Sequence, residues 1–308
     1  MATSKWTFDN IPDLQGKTII VTGGNSGLGY ESVKAFAQKG ATVILACRNL
    51  EKGELAKSEI KQTEPNGQVE VMKIDLMDLA SVKEFADQFN KMYSNLDVLL
   101  NNAGIMATPY FKTKDGFEAQ LGTNHLGHFA LTGLLLDRIK DTPGSRVVNV
   151  SSMAHKSGKI DFNDLMFEID RKFKTMKAYG QSKLANLLFT YELQRYFEKN
   201  KIESISLAAH PGGSNTRLAG HLEESGFMKV VSKVLRGIMQ SAAIGALPQI
   251  RASIDPNVKG GEYYGPGGIG EIAGYPVLVN STPASHNIED AKKLWDVSEK
   301  LTGVTYYK

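Results

Sequence analysis

Five short runs of branched and apolar residues alternate with four longer stretches of helical periodicity. The runs are Lys17–Thr22, Thr42–Ala46, Val69–Ile74, Val98–Leu100 and Arg146–Val150; the helical stretches lie near Gly27–Gln38, Glu51–Ile60, Leu79–Met92 and Glu118–Ile139. Parallel strands need long crossovers, so this alternation predicts βαβ units around a buried parallel sheet. Right-handed crossovers then give a doubly wound α/β sheet with helices on both faces. A long helix over Met176–Lys199 follows, then a strand Ser204–Ala208 that ends at His210-Pro211-Gly212-Gly213. The stretch from about Leu218 to Ile250 reads as amphipathic helix. Tyr263–Val279, rich in Gly and Pro, reads as loops around a last strand, Pro276–Asn280, before a closing helix Asp290–Leu301. No repeat, linker or low-complexity segment divides the chain, so one domain over 1–308 is expected.

The 36 basic and 33 acidic residues are interspersed and leave a net charge of only +3, which gives no nucleic-acid footprint. The lone Cys47 lies in an apolar run and fits a buried thiol in a reducing compartment. The N-terminus has no apolar leader, and no stretch reaches the roughly 18 apolar residues of a membrane span. The expectation is a soluble, cytoplasmic protein with no membrane span.

After the first strand comes Thr22-Gly23-Gly24-Asn25-Ser26-Gly27-Leu28-Gly29, and an amphipathic helix follows. Glycines at 23, 27 and 29 leave room for a tight turn and for a pyrophosphate at a helix N-terminus. The residues expected on that cofactor are Gly23, Asn25, Ser26, Gly27, Leu28 and Gly29. The second strand ends at Ala46-Cys47-Arg48-Asn49, where many NAD sites carry an acid for the ribose hydroxyl. Arg48 instead suits a 2′-phosphate, which favours NADP(H) over NAD(H). Asp75-Leu76, after the third strand, is placed to edge an adenine. Asn102-Ala103-Gly104, after the fourth, is small enough to pass close to the cofactor.

Tyr179 and Lys183 stand four apart on one helix face. A phenol titrates near pH ~10, too high for neutral acid/base work. A cation ~4–5 Å away at an effective dielectric of ~20 supplies ~3–4 kcal/mol, about 2–3 pH units of depression. The pair is therefore a candidate proton donor with its own tuning charge.

Together these motifs resemble the short-chain dehydrogenase/reductase family from Lys17 to about Leu301. Ser152 and Pro211-Gly212 follow the family's order and spacing as well. Leu45-Ala46-Cys47-Arg48, Asn124-His125-Leu126-Gly127-His128-Phe129, Ser182-Lys183-Leu184-Ala185-Asn186 and the long gap from Ser152 to Tyr179 resemble its retinol dehydrogenase-like branch. The resemblance implies a single-domain Rossmann fold and an oxidoreductase acting on CH–OH donors or carbonyls. Tyr179 would be the general acid/base, and Lys183 would hold the nicotinamide ribose. Ser152 would bond the substrate oxygen, and Asn124 would organise a proton-passing water. Thr216 would contact the nicotinamide amide, beside Pro211 and Gly212. Family members often form a homodimer through the helices carrying Asn124 and Tyr179, although the lipophilic branch varies.

His125 and His128 lack a third ligand at metal spacing, so packing is the expected role and no metal is expected. His155, close after Ser152, is a weaker candidate for lining the cleft. Apolar residues of the Ser152–Tyr179 insertion (Phe162, Leu165, Met166, Phe167, Ile169) and of the segment after Gly212 flank the strand ends. The second group is Leu218, Leu222, Phe227, Met228, Val231 and Leu235. They suggest an apolar lid over about 212–240 and a hydrophobic small-molecule carbonyl or alcohol substrate. Two other readings stay open: a non-catalytic NADP-binding sensor or scaffold, and an enone C=C reductase on the same fold.

Overall fold

The computed structural model describes residues 5–63, 65–169, 172–213 and 240–306. Eight strands form one sheet: β1 (Thr18–Thr22), β2 (Thr42–Cys47), β3 (Gln68–Lys73), β4 (Val98–Asn101), β5 (Arg146–Val150), β6 (Ile205–Ala209), β7 (Tyr263–Pro266) and β8 (Pro276–Leu278). Their order is β3-β2-β1-β4-β5-β6-β7-β8. All neighbours are parallel except the last pair. Burial on both faces explains the continuous apolar runs Ile19–Val21, Val43–Cys47 and Val98–Leu100 within β1, β2 and β4.

The helices are α1 (Gly27–Gln38), α2 (Leu50–Lys61), α3 (Leu79–Met92), α4 (Ala119–Leu121), α5 (Gly127–Leu134), α6 (Leu136–Lys140), α7 (Thr175–Lys199), α8 (Ala242–Ile254) and α9 (Ile288–Thr302). One core layer joins the sheet to α1, α2 and α8 through Val33, Phe36, Ile60, Leu247 and Ile250. The opposite layer joins it to α3, α5 and α7 through Phe85, Phe89, Phe129, Phe189 and Phe197. The fold is the expected Rossmann-like α/β domain. The order in which strands are added reverses between β1 and β4, which opens a crevice at the strands' carboxyl ends.

Three local expectations change. Tyr263–Pro266 is not loop but a buried strand. It holds only two register pairs with β6, and its Gly265 and Pro266 disguise it. The helix read over Glu118–Ile139 is broken into α4, a π-helical turn at Gly122–Leu126, α5 and α6. Across that turn the Gly127 N–H reaches back to Gly122 O, an i→i+5 bond. Of the region read as helical from 218 to 250, α8 is the described part, capped by Ser241 and extending to Ile254. The rest, with the proposed lid residues 214–239, lies outside the described residues. Part of the Ser152–Tyr179 insertion packs as core: Leu165, with Ile160, Phe162 and Met166 against it, joins Phe117, Leu184, Leu188 and Leu294, while Ile169 is exposed.

Candidate active site

The carboxyl ends of β1, β4, β5 and β6 and the N-terminal part of α7 surround a cleft of about 510 Å³. Gly23, Asn25, Ser26, Gly27, Leu28 and Gly29 form one wall. Asn102–Met106, Val150–Ser152, Tyr179, Lys183 and Pro211–Gly213 complete it. Gly23 has φ +67° and Gly27 φ +56°, the left-handed region that glycine enters without strain. A Cβ on Gly29 would lie 2.3 Å from Gly23 O and 2.6 Å from Asn102 Nδ2, so no larger residue fits. Ser26 precedes α1 without a side-chain cap. Among the described residues no side chain caps the first-turn N–H groups of this 12-residue helix, and such a terminus suits a phosphate. The cradle fits a dinucleotide.

Thr22, at the end of β1, holds this wall to the next one. Its Oγ accepts from Asn102 N (2.9 Å) and Ala103 N (3.0 Å). Asn102 Nδ2 donates to Thr22 O at 2.7 Å, and Asn102 Oδ1 accepts from Gln249 Nε2 on α8 at 2.9 Å. His128 lies 2.8 Å from Thr22 Oγ through Nε2 and 3.1 Å from Asn124 O through Nδ1. A carbonyl only accepts, so Nδ1 carries the proton and Nε2 accepts from the Thr22 hydroxyl. Burial pushes this imidazole down to about 4 and keeps it neutral. The expected packing role of His128 is thus also a positioning one. His125 is buried too, near Ser298 Oγ at 2.9 Å, and burial lowers it to about 3.

Tyr179 and Lys183 point into the same cleft, with Nζ 5.7 Å from the phenol ring centroid. Lys183 Nζ donates to Val150 O at 3.0 Å. Ser151 Oγ donates to Lys183 O at 2.8 Å, which ties α7 to the end of β5. The electrostatics differ from the sequence expectation. Burial dominates at both groups: it raises Tyr179 to about 12, against a hydrogen bond with Ser152, and it lowers Lys183 to about 8. At the phenol, desolvation outweighs the Ser152 hydrogen bond, and no depression by Lys183 offsets it. Ser152 Oγ also caps the 3-10 turn that follows, accepting from Ala154 N at 3.2 Å.

Asn124 sits in the π turn, fully buried behind Gly104 rather than on the cleft wall. Its Oδ1 accepts from Ile105 N (2.8 Å), and its Nδ2 donates to Ile105 O (3.0 Å) and Ser182 Oγ (2.9 Å). It holds the loop after β4 onto α7. Arg48, Asp75 and Leu76 do not line the 510 Å³ cleft. Arg48 is exposed one residue past β2, with Nη1 3.9 Å from Met77 Sδ. Asp75 Oδ1 accepts from Met77 N at 3.0 Å in a turn, and Leu76 packs under Gly127. Thr216 lies outside the described residues. His155 is buried, with Nδ1 2.7 Å from Ser152 O, and is not on the wall. Ile105, Met106, Val150, Ser151 and Gly213 line the cleft without having been singled out; each is a neighbour of a recognised motif.

Comparison with known proteins bears on the family and the fold. Residues 17–164 match the family model described as short chain dehydrogenase. Human retinol dehydrogenase 11 is 40% identical over 94% of this chain and 87% of its own length. Human retinol dehydrogenase 13 is 38% identical over 94% of this chain and 86% of its own. A crystal structure of an uncharacterized protein from Mycobacterium Paratuberculosis shares 42% identity at a TM-score of 0.82, covering 99% of this chain and 100% of that one. The Pseudomonas aeruginosa RhlG/NADP active-site complex, 20% identical, shares the fold at a TM-score of 0.61 over 82% of this chain and 94% of its own. No helix among the described residues is long and apolar enough to cross a membrane. With glycine loop, Tyr179 and Lys183 on one cleft and these relatives covering nearly the whole chain, the protein belongs to the short-chain dehydrogenase/reductase family of nicotinamide-dependent oxidoreductases, in its retinol dehydrogenase-like branch.

Proposed function

We propose that the chain is an NADP(H)-dependent enzyme that interconverts a carbonyl and an alcohol on a hydrophobic small molecule, as a ketone or aldehyde reductase of retinol dehydrogenase-like type. The observation that carries this reading is that Ser152, Tyr179 and Lys183 share one cleft with the Gly23–Gly29 loop. A nicotinamide held in this cleft would supply the hydride for the carbonyl carbon, or accept it in the reverse direction. Ser152 and Tyr179 donate hydrogen bonds to the oxygen on which charge grows, and Tyr179 passes its proton to that oxygen. Burial supports this role in reduction, since it keeps the phenol protonated at neutral pH. Lys183 orients the ribose hydroxyls from its anchor on Val150 O. Asn124 fixes the Ile105 backbone on the loop after β4 that faces Lys183, and so holds that side of the cleft in place.

Arg48 supports the phosphorylated cofactor: it is a guanidinium just past the end of β2, it is exposed, and no ion pair of it occurs among the described residues. Met106 and Ile105 on the cleft wall support an apolar substrate. The test is an NADPH and NADH absorbance assay against a panel of aldehydes, ketones and enones, run on wild type and Arg48→Ala. Carbonyl reduction with NADPH, and a KM for NADPH raised roughly tenfold in Arg48→Ala while that for NADH barely moves, is the expected pattern. Turnover of enones alone would move the chemistry to C=C reduction. Tight NADPH binding with no turnover on the panel would mark a nucleotide sensor.

A further inference from the structure

The cofactor cleft is closed on one side by Pro211–Gly213, and the fold fastens that loop from behind. Beneath it runs a second loop, residues 267–274, which no family motif marks. Gly213 N donates to Ile272 O at 2.8 Å. Gln240 Nε2 donates to Pro211 O at 2.9 Å, while its Oε1 accepts from Gly274 N at 3.0 Å. A Cβ on Gly212 (φ +65°) would lie 2.4 Å from Ile272 O, so the two backbones are in close contact.

The charged element of this contact is Glu271. Its Oε2 lies 3.0 Å from His210 Nε2, and its Oε1 accepts from Lys156 Nζ at 3.2 Å. His210 Nδ1 accepts from Gly212 N at 3.2 Å, so the imidazole proton sits on Nε2 and points at the carboxylate. Glu271, His210 and the Gly212 N–H thus form one directional chain into the cleft wall. His210 is fully buried, and a Cβ on Gly265 would lie 2.1 Å from its Nε2, so the ring has one place to be. Glu271 itself has φ +58°, a left-handed conformation that a non-glycine residue keeps only when its surroundings enforce it. Lys156 belongs to the 3-10 turn that Ser152 caps, so the same carboxylate bonds both the turn after β5 and the end of β6. Lys156 is about half exposed, and its ion pair contributes little; the buried His210 arm carries the effect.

We infer that Glu271 is a positioning residue for the nicotinamide cofactor, acting through His210 on the Pro211–Gly213 loop. This rests on the reading of the cleft as an NADP(H) site. The experiment titrates purified wild type, Glu271→Ala, Glu271→Gln and His210→Gln with NADPH by protein fluorescence. It also measures KM for NADPH and kcat on whichever aldehyde of the panel wild type reduces fastest. Glutamine at 271 still offers an oxygen to the His210 N–H but cannot pair with Lys156. Glu271→Ala and His210→Gln are expected to weaken NADPH roughly tenfold and to leave kcat within about twofold, while Glu271→Gln stays near wild type. An unchanged NADPH affinity in Glu271→Ala overturns the inference, as does a loss confined to kcat. If Glu271→Ala does not fold, His210→Gln decides on the same criteria. Failure of wild type itself to bind NADPH or NADH would instead remove the functional reading beneath it.

Discussion

Lys183 holds an ammonium that is almost wholly buried at the floor of the cleft. Burial brings its pKa from 10.5 to about 8, a penalty of roughly 3 kcal/mol at neutral pH, partly offset by the bond to Val150 O. Lys183→Met is therefore expected to abolish turnover yet stabilise the fold by ~1–3 kcal/mol at pH 7, measured by urea unfolding. The sign of the pH dependence follows. Between pH 8 and 10.5 the unfolded chain keeps the lysine proton and the folded chain releases it, so wild-type stability rises with pH and the advantage of the variant shrinks. A difference that stays flat across that range would show that the lysine is not desolvated. Tyr179→Phe should lower turnover at least ~10²-fold and leave NADPH affinity intact, because the phenol serves the chemistry rather than the cradle. Near wild-type turnover in that variant would take the acid role away from Tyr179. The two residues stood out in the sequence only alongside the glycine loop and the other motifs; their electrostatics were not legible there, since spacing carries no information about depth of burial.

The elements around the site are held by contacts that leave no space. Gly158 and Gly180 let the turn after Ser152 lie on α7: a Cβ on Gly158 would be 2.4 Å from Gly180 O, and one on Gly180 would be 2.9 Å from Ala154 O. Gly180→Val should push Ser152 away from Tyr179 and cost ~1–3 kcal/mol of stability. Turnover should fall well before NADPH affinity does, as steady-state kinetics beside a binding titration will show. Equal losses in both would mean that the whole cleft, rather than one wall, had moved. The π turn at Gly122–Leu126 works in the same way. It leaves Asn124 O to the ring of His128 and so links α5 to Thr22. Apolar periodicity showed a helix here. It could not show one inserted residue, because a π turn keeps the same side-chain types on nearly the same face.

Across the whole molecule, α9 lies over α5 and α7, the helices through which dimers of the family often form. Trp295 packs on Phe129, Phe189 and Tyr196, and Tyr306 seals the cluster with Tyr196 Oη donating to its carbonyl at 2.9 Å. With that face covered by its own chain, the protein is expected to sediment as a monomer at micromolar concentration. A dimer whose α5 and α7 amides are protected on association would contradict this. Tyr306→Ala should cost ~3–5 kcal/mol in denaturant unfolding, as other buried aromatic deletions do. What the amino-acid sequence determined alone is the strand–helix alternation, the glycine turn and the Tyr179/Lys183 pair. Each is local: periodicity, backbone freedom and helical spacing act over a few residues. Only the tertiary structure decided that Tyr263–Pro266 completes the sheet, that Thr22 and His128 bind the cleft walls together, and that Glu271 reaches His210 61 positions away. Those pairings join segments far apart in the chain, and only the packed sheet brings their atoms within hydrogen-bond reach.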